Sequence, residues 1–161
     1  IRSAITATLD KALIKKRGHL YDLTPLIIED KFSNLEKTKD VLLILKKIGL
    51  EKELKRIEKK KVRAGKGKNR GRKYKIKKGP LIVVADKCNL EQSSVNLQGF
   101  DIVRVNKLNT ELLAPGTDAG RLVIWTNKSI ERLEKEKLFL DKEKNGPVQN
   151  NKKSTSNWKV C

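Results

Sequence analysis

The chain has 161 residues, with 38 Lys or Arg against 19 Asp or Glu and a formal net charge of +19. Its 37% hydrophobic and 4% aromatic content supplies one modest core and not two. No apolar run approaches the roughly 18 residues of a membrane span, no signal peptide opens the chain, and so large a positive excess repels itself unless a polyanion offsets it.

Apolar positions at Ile1, Ile5, Leu9, Ala12 and Leu13 have helical spacing and predict one helix over 1–16, stopped by Gly18 after Lys15, Lys16 and Arg17. Pro25 opens a strand, Leu26-Ile27-Ile28. Ser33 to Glu36 has capping-box spacing and predicts a helix through Ile48, which Gly49 ends. A short basic helix follows over about 52–61. Residues 80–85 (PLIVVA) form a continuous apolar run, the pattern of a parallel strand buried on both faces. Asn89 and Gln92 then cap a short helix through Leu97, and Phe100 to Val105 is the next strand. Asn106 caps a helix through Leu113, which Pro115-Gly116 terminates. Arg121 to Trp125 is a further strand, and Thr126 or Asn127 starts a helix running to Leu138. Strands alternating with helices predict an α/β fold, a parallel Rossmann-like sheet with helices on both faces. Residues 1–140 form this domain and carry a basic Gly-rich insertion at 59–78. Residues 141–161 are an extended polar tail unable to bury enough surface to fold alone. The chain opens at Ile1, lacks Met, and stops at Val160-Cys161, which reads as an internal piece of a longer protein.

The charge is concentrated. Residues 1–58 carry +4 and residues 79–161 carry +3, whereas residues 59–78 hold 12 basic residues and no acidic one. Gly65, Gly67 and Gly71 interrupt these cations, so no stable helix runs through them. Glycine backbone can approach a phosphate closely, and Arg grips one bidentately. The candidate RNA-binding residues are Lys59, Lys60, Lys61, Arg63, Lys66, Lys68, Arg70, Arg72, Lys73, Lys75, Lys77 and Lys78, with Tyr74 placed to stack on an exposed base. Composition alone leaves open a solvated charge run, a nuclear import signal, general DNA or chromatin binding, and an anionic membrane surface.

Enzyme signatures are missing. The third glycine of Gly65-Lys66-Gly67-Lys68-Asn69-Arg70-Gly71 stands one place late for a dinucleotide loop. No Lys-Ser or Lys-Thr follows its second glycine, as a Walker loop requires. No serine or cysteine lies in a nucleophile elbow. Cys88 and Cys161 match no metal or redox spacing and suit a reduced, intracellular setting. The lone histidine, His19, reads as structural or exposed. Glu29-Asp30 reads as a charge partner for nearby lysines. Trp125 belongs to the core, and Trp158 is the better candidate for docking on a partner. A nucleotide-dependent enzyme with a basic insertion is therefore the weakest reading, and no catalytic residue, metal site or cofactor is predicted.

The basic stretch leading into Leu81-Ile82-Val83-Val84 resembles the archaeal and eukaryotic branch of the large-ribosomal-subunit protein four family. The resemblance continues through Asn106-Lys107-Leu108-Asn109, Leu113-Ala114-Pro115-Gly116, Gly120-Arg121 and Ile124-Trp125-Thr126. Upstream, Ser3-Ala4-Ile5, Ala7-Thr8, Arg17-Gly18-His19 and Glu36-Lys37-Thr38-Lys39 are also similar, so it covers roughly residues 1–140. It implies a structural constituent of the large subunit that binds and organises rRNA and supports assembly near the peptide exit tunnel. Its implied partners are large-subunit rRNA and neighbouring large-subunit ribosomal proteins, with no membrane and no small-molecule substrate. Its implied location is the cytoplasmic ribosome, and in a eukaryote the nucleolus during assembly. The family's tunnel loop and first strand would precede Ile1, and the polar tail would begin its carboxyl-terminal extension. Arg2, Lys15, Lys16, Arg17, His19 and Arg121 are the further candidates for RNA contact. Two departures stand out: Thr117-Asp118-Ala119 replaces Gly-His-Leu or similar, and Asn69-Arg70-Gly71-Arg72 is poorer in arginine. An acid at Asp118 argues against direct phosphate contact by that turn.

Overall fold

Four strands hydrogen-bond in parallel in the order β1 (Leu26–Ile28), β6 (Val123–Thr126), β4 (Leu81–Val84), β5 (Asp101–Arg104). A separate antiparallel ribbon pairs β2 (Lys61–Val62) with β3 (Tyr74–Lys75). The computed structural model describes residues 1–140, so the tail and Trp158 lie outside the described residues.

The sheet is placed by its central strands. All four residues of β4 are buried, and they alternate between two apolar clusters. Ile82 and Val84 pack with helices α2 (Lys11–Lys16), α3 (Thr38–Lys47), α4 (Glu51–Glu58) and α5 (Leu90–Ser93) through Ile14, Leu45, Ile57 and Leu90. Leu81 and Val83 pack against α1 (Arg2–Ala7), α6 (Thr110–Leu113) and α7 (Asn127–Lys135) through Ile5, Leu113 and Leu133. Helices thus cover both faces, which is why β4 and β6 carry no polar alternation. Trp125 lies in the second cluster, as expected of a core residue. β1 differs. It has a strand neighbour on one side only among the described residues, and Ile27 is 48% exposed.

Four local expectations change. Asn89 makes no side-chain cap, Gln92 lies inside α5, and that helix ends at Ser93 rather than Leu97. The stretch 1–16 is two helices, because Asp10 is extended and its carboxylate accepts the Ala12 N–H at 2.8 Å, starting α2 afresh. The Ser33–Glu36 capping box does not form. Residues Asp30–Asn34 make a 3-10 turn, Leu35 is extended, and α3 begins at Thr38. Contacts to α5 account for this: Ser93 Oγ donates to the Leu35 carbonyl at 3.0 Å, and Asn89 Nδ2 donates to Glu36 Oε1 at 3.2 Å. The cap of α6 is Asn109, not Asn106. Its Oδ1 accepts the Leu112 N–H at 2.8 Å, while residues Val105–Lys107 form a 3-10 turn.

Candidate nucleic-acid interface

The basic segment is an organised hairpin. Lys61 stands opposite Lys75 and Val62 opposite Tyr74. The Arg63 N–H extends the ladder by donating to the Lys73 carbonyl at 2.8 Å. A 3-10 turn at Lys66–Lys68 forms the tip, and the Arg72 N–H donates back to the Gly67 carbonyl at 3.1 Å. Gly65 and Gly71 adopt positive φ, +81° and +74°, on either side of the tip, so the glycines read as helix breakers also shape the turn. Eleven of the twelve cations are exposed, and Arg63 is half-buried with its Nε donating to the Arg72 carbonyl at 3.2 Å.

Arginines divide into two groups. Arg70 and Arg72 make no side-chain hydrogen bond or ion pair among the described residues. Those in the domain body are spent internally. Arg104 forms a fork with Glu91 at 2.6 and 2.8 Å, holding the carboxyl below its usual range through those bonds. Arg132 binds the Ala85 carbonyl at 2.8 Å, Asp86, and Glu136 at 2.6 Å. Arg17 donates to the carbonyls of Pro115, at 2.6 Å, and Asp118.

His19 and Arg121, expected among the further RNA contacts, are both turned into the domain. Arg121 is fully buried and donates to the Gly79 and Leu112 carbonyls at 2.8 and 2.9 Å and to Asp101 Oδ2 at 2.6 Å. His19 is buried with Nδ1 at 2.6 Å from Glu53 Oε1. A carboxylate accepts only, so Nδ1 carries the proton, and the Arg56 Nη2 at 3.3 Å is a neighbour rather than a donor to it. Glu53 also accepts from Arg56 at 2.5 and 2.8 Å and from the Leu20 N–H at 3.0 Å. Burial pushes its carboxyl up, but the bonds from His19, Arg56 and Leu20 together outweigh burial and hold it at about 2. Arg17 is half-buried against the 115–118 turn, Lys15 pairs with Asp22 at 2.7 Å, and Lys16 and Arg2 are exposed. Glu29 meets Lys31 at 3.8 Å, while Asp30 instead accepts the Lys128 N–H at the start of α7.

The hairpin joins the sheet through Lys78 and through Arg56, Asp101, Gly79 and Gly99, which the charge count did not single out. Arg56 Nη2 donates to the Lys78 carbonyl at 2.9 Å, Lys78 pairs with Asp101 at 3.3 Å, and the Gly79 N–H donates to the Gly99 carbonyl at 2.8 Å. A cleft of about 730 Å³ opens beside this root, lined by Lys16, Arg17, Lys75, Lys77 and Lys78 with one acid, Asp118. Among the described residues no cluster of His, Cys, Asp or Glu can hold a metal, and no helix is long and apolar enough to cross a membrane. The arrangement offers an exposed cationic surface on a hydrogen-bonded root.

Residues 1–136 match the Ribosomal protein L4/L1 family. The chain is 46% identical over 136 residues to the large ribosomal subunit protein uL4 of Methanocaldococcus jannaschii, covering 83% of this chain and 54% of that relative. It is 49% identical over 140 residues to the protein of that name from Nanoarchaeum equitans, covering 86% and 52%. For Methanosphaera stadtmanae the identity is 44% over 137 residues, covering 83% and 53%. The chain spans about half the length of these relatives. The family match takes in the hairpin, its root and the whole parallel sheet, and the chain belongs to the Ribosomal protein L4/L1 family.

Proposed function

We propose that this protein is a structural, non-catalytic constituent of the large ribosomal subunit that binds and organises large-subunit rRNA. One observation carries the reading: twelve cations and no acid occupy one ribbon, while the body's arginines are engaged inside the domain. Relatives bearing the name of a large-subunit protein support it. The ribbon's cations lie against phosphate and sugar, because long flexible lysines and forked arginines suit a polyanion's backbone more than base edges. Neighbouring large-subunit proteins are its other partners, and the cytoplasmic ribosome is its place of work. Several RNA contacts on one folded chain raise each other's effective concentration once the first has formed. The protein thereby holds rRNA segments together during subunit assembly near the exit tunnel.

Deleting residues 59–78 tests the proposal. The expected result is preferential loss of binding to large-subunit rRNA over duplex DNA of equal length, and loss of mature large subunits in sedimentation profiles. Equal affinity of the intact chain for both nucleic acids would favour a general nucleic-acid-binding protein. Normal subunit yield with the deleted protein incorporated would remove the assembly role.

A further inference from the structure

The two faces of the β2–β3 ribbon differ in chemistry. Val62 and Tyr74 are cross-strand partners, so their side chains leave the ribbon on one side. They are 61% and 53% exposed, and Ile76, two residues beyond Tyr74, is 42% exposed. On the opposite side Lys61 faces Lys75, a like-charge pair that is unfavourable in isolation. A small apolar face therefore sits inside a segment that is otherwise cationic and contains no acid.

Charge complementarity chooses the occupant. An apolar protein surface laid on Val62 and Tyr74 would desolvate the surrounding ammonium groups without pairing them. A nucleotide supplies a flat base and, one sugar away, an anion. The local groups match that combination. The Lys73 ammonium lies 5.6 Å from the centre of the Tyr74 ring. Ile76 also lines the root cleft together with Lys16, Lys75, Lys77, Lys78 and one acid, Asp118. A continuous duplex does not fit as well, because its bases are locked in their own stack and its deep major groove is closed to side chains.

We propose that the hairpin selects RNA with an unpaired nucleotide, a bulge or loop, whose base stacks on Tyr74 beside Val62 and whose phosphates follow the cleft along Lys75, Lys77 and Lys78. The inference rests on RNA binding through the hairpin, as proposed above, and adds the kind of RNA that is bound.

The test uses the full 161-residue chain and two loop-free RNA duplexes of matched length, each made of two strands, one fully paired and one with a single bulged 2-aminopurine. Binding should be tighter to the bulged RNA and should quench its 2-aminopurine fluorescence. Tyr74→Ala should weaken bulged-RNA binding about tenfold, the size of one base–aromatic stack, and leave the paired RNA unchanged. Tyr74→Phe should restore the preference, since the ring and not the hydroxyl is used. Tyr74 is exposed, so neither variant threatens the core, and a far-UV spectrum checks this. Equal wild-type affinity for the two RNAs, or a Tyr74→Ala variant that keeps full affinity for the bulge, overturns the inference while leaving RNA binding intact. Absence of salt-dependent binding to either RNA would instead sink the underlying reading. Tyr74→Ala that spares both RNAs but releases a neighbouring ribosomal protein would reassign the face to protein docking.

Discussion

Arg56 and Arg121 donate to consecutive carbonyls, Arg56 Nη2 to that of Lys78 at 2.9 Å and Arg121 Nε to that of Gly79 at 2.8 Å. Each arginine is held by an acid, Glu53 for the first and Asp101 for the second. The backbone leaving the cationic hairpin is thus clamped by two guanidiniums turned inward. On the proposed function, stability and RNA binding draw on different arginines, which makes them separable by substitution.

Arg121→Met tests the separation. It leaves the buried Gly79 carbonyl and the half-buried Leu112 carbonyl without this donor and takes one partner from Asp101, which keeps Lys78. The expected cost is about 3 kcal/mol of folding stability, read as a shift in the urea midpoint. Arg72→Gln, an exposed residue of the same charge, should alter stability by less than about 0.5 kcal/mol. Equal midpoints for Arg121→Met and wild type would show that the clamp contributes nothing.

Acid should loosen the other clamp. The Glu53 carboxyl is held at about 2 in the folded chain against an ordinary 4.5. A depressed folded pKa contributes stability that is complete above the unfolded value and disappears as pH falls through the folded one. The contribution is on the order of 3 kcal/mol, at about 1.4 kcal/mol per unit, and should fade between pH 4.5 and about 2. Asp101 and Glu91 are also held low and share this acid limb, so the measurement compares wild type with Glu53→Gln. The variant should start less stable at pH 7 and lose less on acidification. Parallel stability curves for the two proteins would remove Glu53 from the account.

The central sheet was legible because β4 and β6 are apolar without alternation, and a two-sided environment is the simplest cause of that pattern. The candidate interface was legible as charge, since counting cations over 59–78 needs no structure. Its form was not. Strands of two residues are too short to show a period, so the pairing of Lys61–Val62 with Tyr74–Lys75 left no signal. The roles of Arg121 and His19 were hidden for another reason. Their acceptors, Asp101 and Glu53, lie 20 and 34 residues away, and one sequence displays a basic residue without its partner. Asp10 did carry a readable signal, a capping side chain ahead of Lys11, but the helical spacing of 1–16 masked it.

Close backbone approach at the hairpin root gives a third prediction. Gly99 has φ +75°, and a Cβ there would stand 2.6 Å from Ile57 Cγ2 and 2.8 Å from the Lys77 carbonyl oxygen. Gly99→Ala combines backbone strain with a clash against main chain and should cost about 2–4 kcal/mol. Gly18→Ala is the control: its φ is +91° but nothing lies within 4 Å of the added methyl, so strain alone applies, about 1 kcal/mol. Thermal melts of both variants give the comparison. Gly18→Ala melting at or below Gly99→Ala would show that the root tolerates the extra atom.

The last prediction separates the hairpin's cations from those elsewhere on the surface. Arg70, Arg72 and Lys75 are exposed, and their side chains have no protein hydrogen bond or ion pair among the described residues. Their charge is therefore fully available to phosphate. Each phosphate neutralised contributes about 0.7–0.9 to the slope of log affinity against log salt. Replacing all three by Gln should flatten the slope for an rRNA fragment by about 2 to 3 and leave the urea midpoint unchanged. Gln at Lys39, Lys46 and Lys47 removes the same net charge from exposed positions in the α3 region. If only the total field of the protein mattered, the two triple variants would bind alike at every salt concentration. Direct contact through the hairpin requires that the slope change for the first triple and stay within error for the second. Identical flattening by both would mean that the ribbon is merely the densest part of a diffuse charge cloud.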